Sequence, residues 1–158
     1  MVKNLMIVFS ITVLSLSLTF AQTVQPPPNA TSDNKAEAIA LVEKAAAFLS
    51  EHGKEKGLAE MNKPGGQFDK GELYVFVLDL NGVMAAQPKN PKAVGEKLID
   101  KPDNKGKLFR KEIIEKAKTE GSGWVDYFYL NPKTGKEEEK TTYLKRVGDL
   151  VVCCGVYR

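Results

Sequence analysis

The feature that most constrains the fold is an apolar run at residues 74–78 (YVFVL), followed closely by the dipeptide Asn81-Gly82. Asn-Gly between two apolar runs predicts a tight hairpin turn, and residues 83–87 supply the returning strand. The first run is apolar at every position, which indicates a strand buried on both faces. The rest of the chain must therefore cover this hairpin from two sides.

The sequence before the hairpin predicts a long helix. Apolar residues recur at helical spacing over residues 35–51, and Asn34 stands three residues before a glutamate, as in a capping box. Gly53 predicts the end of this helix, and a shorter helix is predicted over residues 54–61. Residues 63–72 are rich in glycine and charged residues and predict a loop.

After the hairpin, the sequence predicts a second helix and three more strands. An irregular crossover rich in turn-forming residues leads to a helical pattern over residues 108–118. The predicted strands are separated by turn signals and lie at residues 124–130, 138–147 and 150–157. The fold class is therefore α+β: a long N-terminal helix packed on a five-stranded antiparallel sheet, with a helix in the crossover.

The N-terminal segment is predicted to lie outside this domain. Lys3 precedes an apolar stretch at residues 5–18, and small residues follow it, which is typical of a secretory signal peptide over residues 1–21. The alternative is an uncleaved membrane anchor, although a membrane-spanning helix needs about 20 apolar residues and this stretch is shorter. Residues 22–34 are predicted to be a flexible, proline-rich spacer, which leaves residues 35–158 as the domain. The predicted location is periplasmic or secreted.

Composition and motifs argue against several classes of function. The net charge is +3, with lysines and acids interspersed as in KTGKEEEK, so no nucleic-acid partner is predicted. The single histidine, His52, has no partner at metal-ligand spacing, and Asp79 with Asn81 favours a turn over a calcium loop, so no metal or cofactor is predicted. No nucleophile and base stand in a catalytic motif, so no enzyme is predicted. The adjacent Cys153 and Cys154 are predicted to be small buried side chains rather than a redox pair.

In their order and spacing, four segments of the chain resemble the single Cache domain, a PAS-like extracytoplasmic sensor. They are GELYVFVLDLNGVMAAQPKNPKAVGEKLID, DNKGKLFRKEIIEKAK, GSGWVDYFYLNPKTGKEEEKTTYLKRV and the closing GVY. The resemblance covers about residues 36–157. It implies a domain that binds a small ligand, commonly a short carboxylate and sometimes an amino acid or amine, between the sheet and the segment that crosses it. Such domains act in signal transduction and chemotaxis.

The resemblance also sets expectations about partners. Because the sequence ends at Arg158, directly after the last predicted strand, the signal is expected to pass to another protein, such as a membrane receptor or a histidine kinase. The alternative is that the chain acts as a soluble binding protein. A homodimer through the N-terminal helix is expected from the family, and Ala38, Ala45 and Ala46 permit close helix approach. The alternative function is a protein-interaction module with a vestigial pocket that docks on such a receptor or kinase.

A pocket for a small carboxylate needs a cation and a few fixed donors in an apolar cup. Lys140 lies in EKTTY, where the resembling family often has a lysine followed by a tyrosine, so it is expected to face the carboxylate. The alternative is a solvated lysine within the charged run KEEEK. Arg110 in the second helix is the substitute cation, although a surface position is expected for it.

Further candidates for the pocket are polar or aromatic. Tyr74, Tyr127 and Tyr143 are expected to offer hydroxyl groups, and Trp124 an apolar wall, with ordinary core packing as the alternative for each. Gln87 stands before a proline where the family often has histidine. Strand parity limits this set, because Trp124 and Tyr127 have opposite parity, as do Lys140 and Tyr143. At least one member of each pair is therefore expected to lie outside the pocket.

Overall fold

The structure is a computed structural model that describes residues 30–158, with side chains from residue 33 onward. The predicted signal peptide and most of the predicted spacer lie outside the described residues. Helix α1 (Ala30–Met61) opens the described part and bends at Gly53, where φ is 81° and ψ is 165°. Glycine adopts this positive φ without a steric penalty. The predicted stop at Gly53 is thus the point where one helical segment ends and the next begins.

The start of α1 differs from the prediction. The helix begins at Ala30 rather than Lys35, so Asn34 lies inside it and is not its N-cap. Residues 31–34 are all polar and each could cap a helix, so the sequence does not single out one start, but all four lie inside α1. The predicted apolar stripe is in place, since Ala38, Val42 and further residues of that face are buried. This stripe packs α1 onto one face of the sheet.

The sheet has six strands, one more than the sequence predicted. In chain order they are β1 (Asp69–Lys70), β2 (Leu73–Asp79), β3 (Met84–Ala86), β4 (Ser122–Leu130), β5 (Glu137–Val147) and β6 (Leu150–Tyr157). The additional strand is β1, a two-residue segment in the predicted loop that pairs with the start of β2. A strand this short carries no periodic pattern that a sequence reading can detect.

The spatial order of the strands is β1-β2-β6-β5-β4, and β3 also pairs with β2. The strand β2 therefore pairs with β6 along one edge and with the short β1 and β3 along the other. All pairings are antiparallel, as predicted. The residues of β2 from Tyr74 to Leu78 are at most 4% exposed, which agrees with the prediction of a strand covered on both faces.

The turn at Asn81-Gly82 attaches the crossover to the hairpin. The carboxylate of Asp79 accepts hydrogen bonds from the backbone N–H groups of Asn81 and Val83, at 2.9 and 2.8 Å. Gly82 has a φ of 84°, and a Cβ atom there would lie 2.4 Å from the Cβ atom of Ile99. This position therefore needs glycine both for its backbone conformation and for the close approach of the crossover.

The crossover continues through a 3-10 turn (Pro91–Ala93) into helix α2 (Phe109–Thr119). Phe109, Ile113 and Ala117 of α2 are buried against the face of the sheet opposite α1. The sheet thus lies between two apolar clusters, one under α1 and one under α2 and the crossover. Within residues 30–158, no helix combines the length and apolar character needed to cross a membrane.

Candidate ligand-binding site

A row of polar side chains crosses the face of the sheet that α2 covers. Tyr127 in β4 pairs with Lys140 in β5, and Lys140 pairs with Tyr157 in β6. Directly opposed residues in antiparallel strands project to the same face, so these three side chains stand side by side. Tyr74 of β2 completes the row, because its hydroxyl lies 2.9 Å from the Nζ atom of Lys140.

Lys140 is the most unusual residue of the row. Its side chain is completely buried, and its ammonium group donates hydrogen bonds to the hydroxyls of Tyr74 and Tyr157, at 2.9 and 3.2 Å. The hydroxyl of Tyr157 in turn donates to the carbonyl oxygen of Leu130 at 2.9 Å. An ammonium group has three donors, and among residues 33–158 the third has no acceptor.

Aromatic rings surround the same ammonium group. Its Nζ atom lies 4.2 Å from the ring centre of Tyr74 and 4.4 Å from that of Tyr157. These contacts partly compensate for lost hydration, but in the described part of the chain no carboxylate pairs with Lys140. Burial consequently lowers the pKa of Lys140 from 10.5 to about 7.

Space for the lysine is provided by Gly155 of β6. A Cβ atom at this position would lie 1.9 Å from the Cε atom of Lys140 and 2.5 Å from the Oγ1 atom of Thr142. The side chain of Lys140 therefore passes directly over the backbone of Gly155. Any larger residue at position 155 would have to displace the ammonium group from its two tyrosine hydroxyls.

Arg110 brings a second cation to this region from helix α2. It is only 5% exposed, so the expected surface position is wrong. Its guanidinium group stacks on the ring of Phe109, with Cζ 4.1 Å from the ring centre, and donates to the carbonyl oxygen of Lys101 at 3.2 Å. Its Nε atom is buried without a hydrogen-bond partner. Desolvation lowers the pKa of Arg110 from its ordinary value, but an arginine remains a cation at neutral pH.

Arg110 lines a cavity between the sheet and α2, to which several predicted residues contribute. Tyr74, Gln87 and Tyr127 line it, together with Tyr129. Lys140 adjoins it, because its Nζ atom lies against the rings of Tyr74 and Tyr129. The cavity volume is about 10 Å³, room for at most one water molecule. The side chains that line it must therefore move apart to admit an organic ligand.

Stacked aromatic rings form one wall of this cavity. The rings of Phe109 and Tyr127 are parallel to within 6° and have centres 3.9 Å apart. The hydroxyl of Tyr127 is fixed by a 2.8 Å hydrogen bond with Thr142. Burial raises the pKa of Tyr127 well above its usual value, so it is a neutral donor or acceptor.

A second cleft, with a volume of about 200 Å³, lies on the other side of the same wall. Phe109, Arg110 and Tyr129 line both the cleft and the cavity. These three side chains therefore separate the buried cavity from a more spacious outer region.

Gln87 reaches the cavity from the end of the returning strand. It is 2% exposed, and its backbone N–H group donates to the side-chain oxygen of Asn62 at 2.9 Å. This bond ties the loop after β3 to the end of α1. The side-chain amide of Gln87 is thus held at the cavity wall by two elements that are distant in sequence.

Two predicted site residues lie elsewhere. Trp124 and Tyr143 occupy the opposite face of the sheet, where their ring centres are 5.3 Å apart and both pack against the cluster under α1. Each pair is therefore split across the sheet, as strand parity predicted, and the inclusion of Trp124 and Tyr143 among the pocket residues is corrected. The physical reason is the strict alternation of side chains in β4 and β5, which contain no bulge between these positions.

Sequence reasoning also missed Tyr129, Tyr157 and Gly155. Tyr129 has the same strand parity as Tyr127, a signal that was available before the structure. The roles of Tyr157 and Gly155 depend on the register between β5 and β6, which the sequence alone does not set. Within residues 30–158, no group of His, Cys, Asp and Glu side chains is arranged to hold a metal ion.

A central antiparallel sheet with a helical crossover over one face and a cavity beneath it defines a PAS-like domain. The family model for Single Cache domain 2 matches residues 33–158. The chain belongs to this family of single Cache domains.

Solved structures of similar fold are sensor domains. A periplasmic sensor domain of a chemotaxis protein has 25% sequence identity and a TM-score of 0.66, covering 82% of this chain and 99% of its own. A Cache chemosensory domain described for its recognition of carboxylic acids has 22% identity and a TM-score of 0.70, covering 84% of this chain and 99% of its own. A methyl-accepting chemotaxis protein from Vibrio parahaemolyticus has 19% identity and a TM-score of 0.69, covering 81% of this chain and 90% of its own. No curated protein sequence matched.

Proposed function

We propose that this domain is an extracytoplasmic sensor that binds a short carboxylate in the cavity between the sheet and α2. The observation that carries the proposal is the pair of buried cations, Lys140 and Arg110. Among residues 33–158, neither forms an ion pair or a hydrogen bond with a carboxylate. A buried charge without a counter-ion is unfavourable, and a bound anion would supply that counter-ion.

The donors around the cavity suit a carboxylate. The third N–H of Lys140 and the Nε–H of Arg110 are unpaired among the described residues, and charge-assisted hydrogen bonds to a carboxylate are stronger than neutral ones. The apolar rings of Phe76 and Phe109 would contact a short alkyl chain. One similar Cache domain is described as recognising carboxylic acids, which supports this class of ligand.

The proposed setting is signal transduction at the outer side of the cytoplasmic membrane. Family membership and the similarity to a periplasmic sensor domain of a chemotaxis protein support this setting. The secretory signal predicted in residues 1–21 would deliver the chain there. We propose that the bound state is communicated to a membrane receptor or kinase.

A thermal-shift screen of the purified protein tests this function. The panel contains acetate, propionate, lactate, pyruvate, succinate, amino acids and polyamines. A ligand at about 100 times its dissociation constant stabilises the folded protein by roughly 2.7 kcal/mol, which raises the melting temperature by on the order of 10 °C. We expect shifts from short carboxylates only, which Lys140→Met abolishes.

The matched control is Lys136→Met, which removes an exposed lysine from the same charged segment. Its response to carboxylates should equal that of the unmodified protein. If no compound on the panel shifts the melting temperature, the binding function is rejected, and an interaction module that docks on a receptor becomes the better description.

A further inference from the structure

The site contains one cation more than a monocarboxylate can neutralise. Lys140 approaches it from β5 and Arg110 from α2, and both are buried. They flank the same ring, since Lys140 Nζ and Arg110 Cζ lie 5.5 and 5.9 Å from the ring centre of Tyr129. The two charged groups are thus no more than about 11 Å apart. One ligand can therefore reach both.

Arg110 is poorly satisfied by the protein itself. A guanidinium group has five N–H donors. One Nη atom donates to the carbonyl of Lys101 at 3.2 Å and the side chain of Tyr129 is a further hydrogen-bond partner, yet the Nε atom has no partner. Arg110 is also the second residue of α2, and no side chain caps this helix at its N-cap, Leu108. The positive end of the helix dipole therefore adds to the charge of the guanidinium group.

The charges of this site call for two anionic groups. A monocarboxylate bound to Lys140 would leave Arg110 buried and unpaired, and one bound to Arg110 would leave the charged form of Lys140 in that condition. We propose that the ligand is a short dicarboxylate, with one carboxylate on the ammonium group of Lys140 and the other on the Nε side of Arg110. This inference rests on the proposed function and narrows its ligand class.

The spacing also sets an upper limit to the length of the ligand. Because the two charged groups are at most about 11 Å apart, charge-assisted hydrogen bonds of about 2.8 Å at each end leave at most roughly 5 Å between the two carboxylates. One or two carbon atoms between the carboxyl groups fit this distance, as in malonate and succinate. Tyr129 lines both the cavity and the cleft of about 200 Å³, and its displacement would provide volume for such a ligand while Arg110 keeps its position.

The decisive comparison is between succinate and succinamate, measured by isothermal titration calorimetry on the purified protein at pH 7. Succinamate has the length of succinate, but an amide replaces one carboxylate. We expect succinate to bind at least about tenfold more tightly than succinamate, because only succinate pairs with both cations. Glutarate and adipate should bind more weakly than succinate because of their length.

The variant Arg110→Gln identifies the second contact. It should lower the affinity for succinate to that for succinamate, while the affinity for succinamate stays within about twofold of its value in the unmodified protein. The ratio of succinate affinity to succinamate affinity should therefore fall close to 1. The control Arg146→Gln removes an exposed arginine of β5 and should leave the ratio unchanged. If Arg110→Gln does not fold, the succinate-to-succinamate ratio of the unmodified protein decides by itself.

Equal affinities for succinate, succinamate and propionate would overturn the dicarboxylate inference and leave the proposed carboxylate sensor intact. An equal loss of affinity for succinate and succinamate in Arg110→Gln would also overturn it, since Arg110 would then act only through the shape of the site. Absence of binding by all of these compounds would reject both the inference and the proposed function.

Discussion

The buried lysine makes carboxylate binding dependent on pH in a predictable way. The perturbation is a change of pH from 6.5 to 8.5 with propionate as the probe. The pKa of Lys140 is about 7 in the unliganded protein because burial disfavours its charged form. An anion beside the ammonium group favours that form, so the ligand raises this pKa on binding.

The magnitude follows from linkage between the proton and the ligand. Below about pH 7 the lysine is already charged, and affinity is constant. Above that value each bound propionate must draw a proton onto Lys140, so affinity falls about tenfold per pH unit. Between pH 6.5 and 8.5 the expected loss is roughly 25-fold. At pH 8 close to one proton should be taken up for each ligand.

The other groups of the site that have a shifted pKa do not titrate in this range. Burial raises the pKa of Tyr74, Tyr157 and Cys153 above their usual values, and raises that of Cys154 to about 12. Arg110 remains a cation throughout. The pH dependence of propionate binding is therefore assigned to Lys140 alone.

Calorimetry at several pH values, repeated in buffers of different ionisation enthalpy, measures both the affinity and the number of protons taken up. The control His52→Gln changes the only histidine of the sequence, which lies next to the bend of α1 and stacks on Phe48. Its pH profile should match that of the unmodified protein. A constant affinity from pH 6.5 to 8.5, or binding without proton uptake at pH 8, would refute the reasoning.

Three substitutions give further predictions. Without ligand at pH 6, Lys140→Met should stabilise the fold by on the order of 2 kcal/mol, since it removes an unpaired buried charge. The pKa of Lys140 is lower in the folded protein than in the unfolded chain, so the unmodified protein gains stability as the pH rises from 7 to 10. The difference in unfolding free energy between Lys140→Met and the unmodified protein should therefore shrink over this range, as measured by denaturant titrations at each pH. Gly155→Ala should weaken propionate binding at least about tenfold and lower the unfolding free energy by roughly 1–3 kcal/mol, because its Cβ overlaps the lysine; unchanged affinity would contradict the packing. Gln87→His should tighten propionate binding below about pH 6.5, where the imidazole is charged; identical affinities at pH 5.5 and 8 would exclude contact with the ligand.

Much of the fold was predictable because its elements carry strong local signals. The Asn81-Gly82 turn, the bend at Gly53 and the three closing strands each follow from residue types that restrict the backbone. The two-residue β1 was not predictable, since its pairing depends on the position of β2 rather than on its own sequence. The predicted start of α1 was wrong because several successive polar residues could each cap a helix.

The site was only partly predictable, because alternation along a strand does not say which face lies under which helix. Parity showed that Lys140 and Tyr143 point in opposite directions, but α2 had to be placed before either could be assigned to the cavity. Lys140 itself follows a run of exposed and half-exposed glutamates. Its burial comes from its position opposite Tyr157 and above Gly155, both of which depend on strand register.

The adjacent cysteines have a practical consequence. Cys153 belongs to the cluster under α2 and Cys154 to the cluster under α1, and both are free thiols with no exposed surface. Each thiol can react with a labelling reagent only when the helix that covers its side of the sheet moves away by local unfolding. Variants that keep one cysteine at a time would therefore report separately on fluctuations of the two sides of the same strand. A ligand that stabilises the packing of α2 on the sheet should slow the labelling of Cys153 most. A change in the labelling rate of Cys154 would show that ligand binding also stabilises the packing of α1 on the other face of β6.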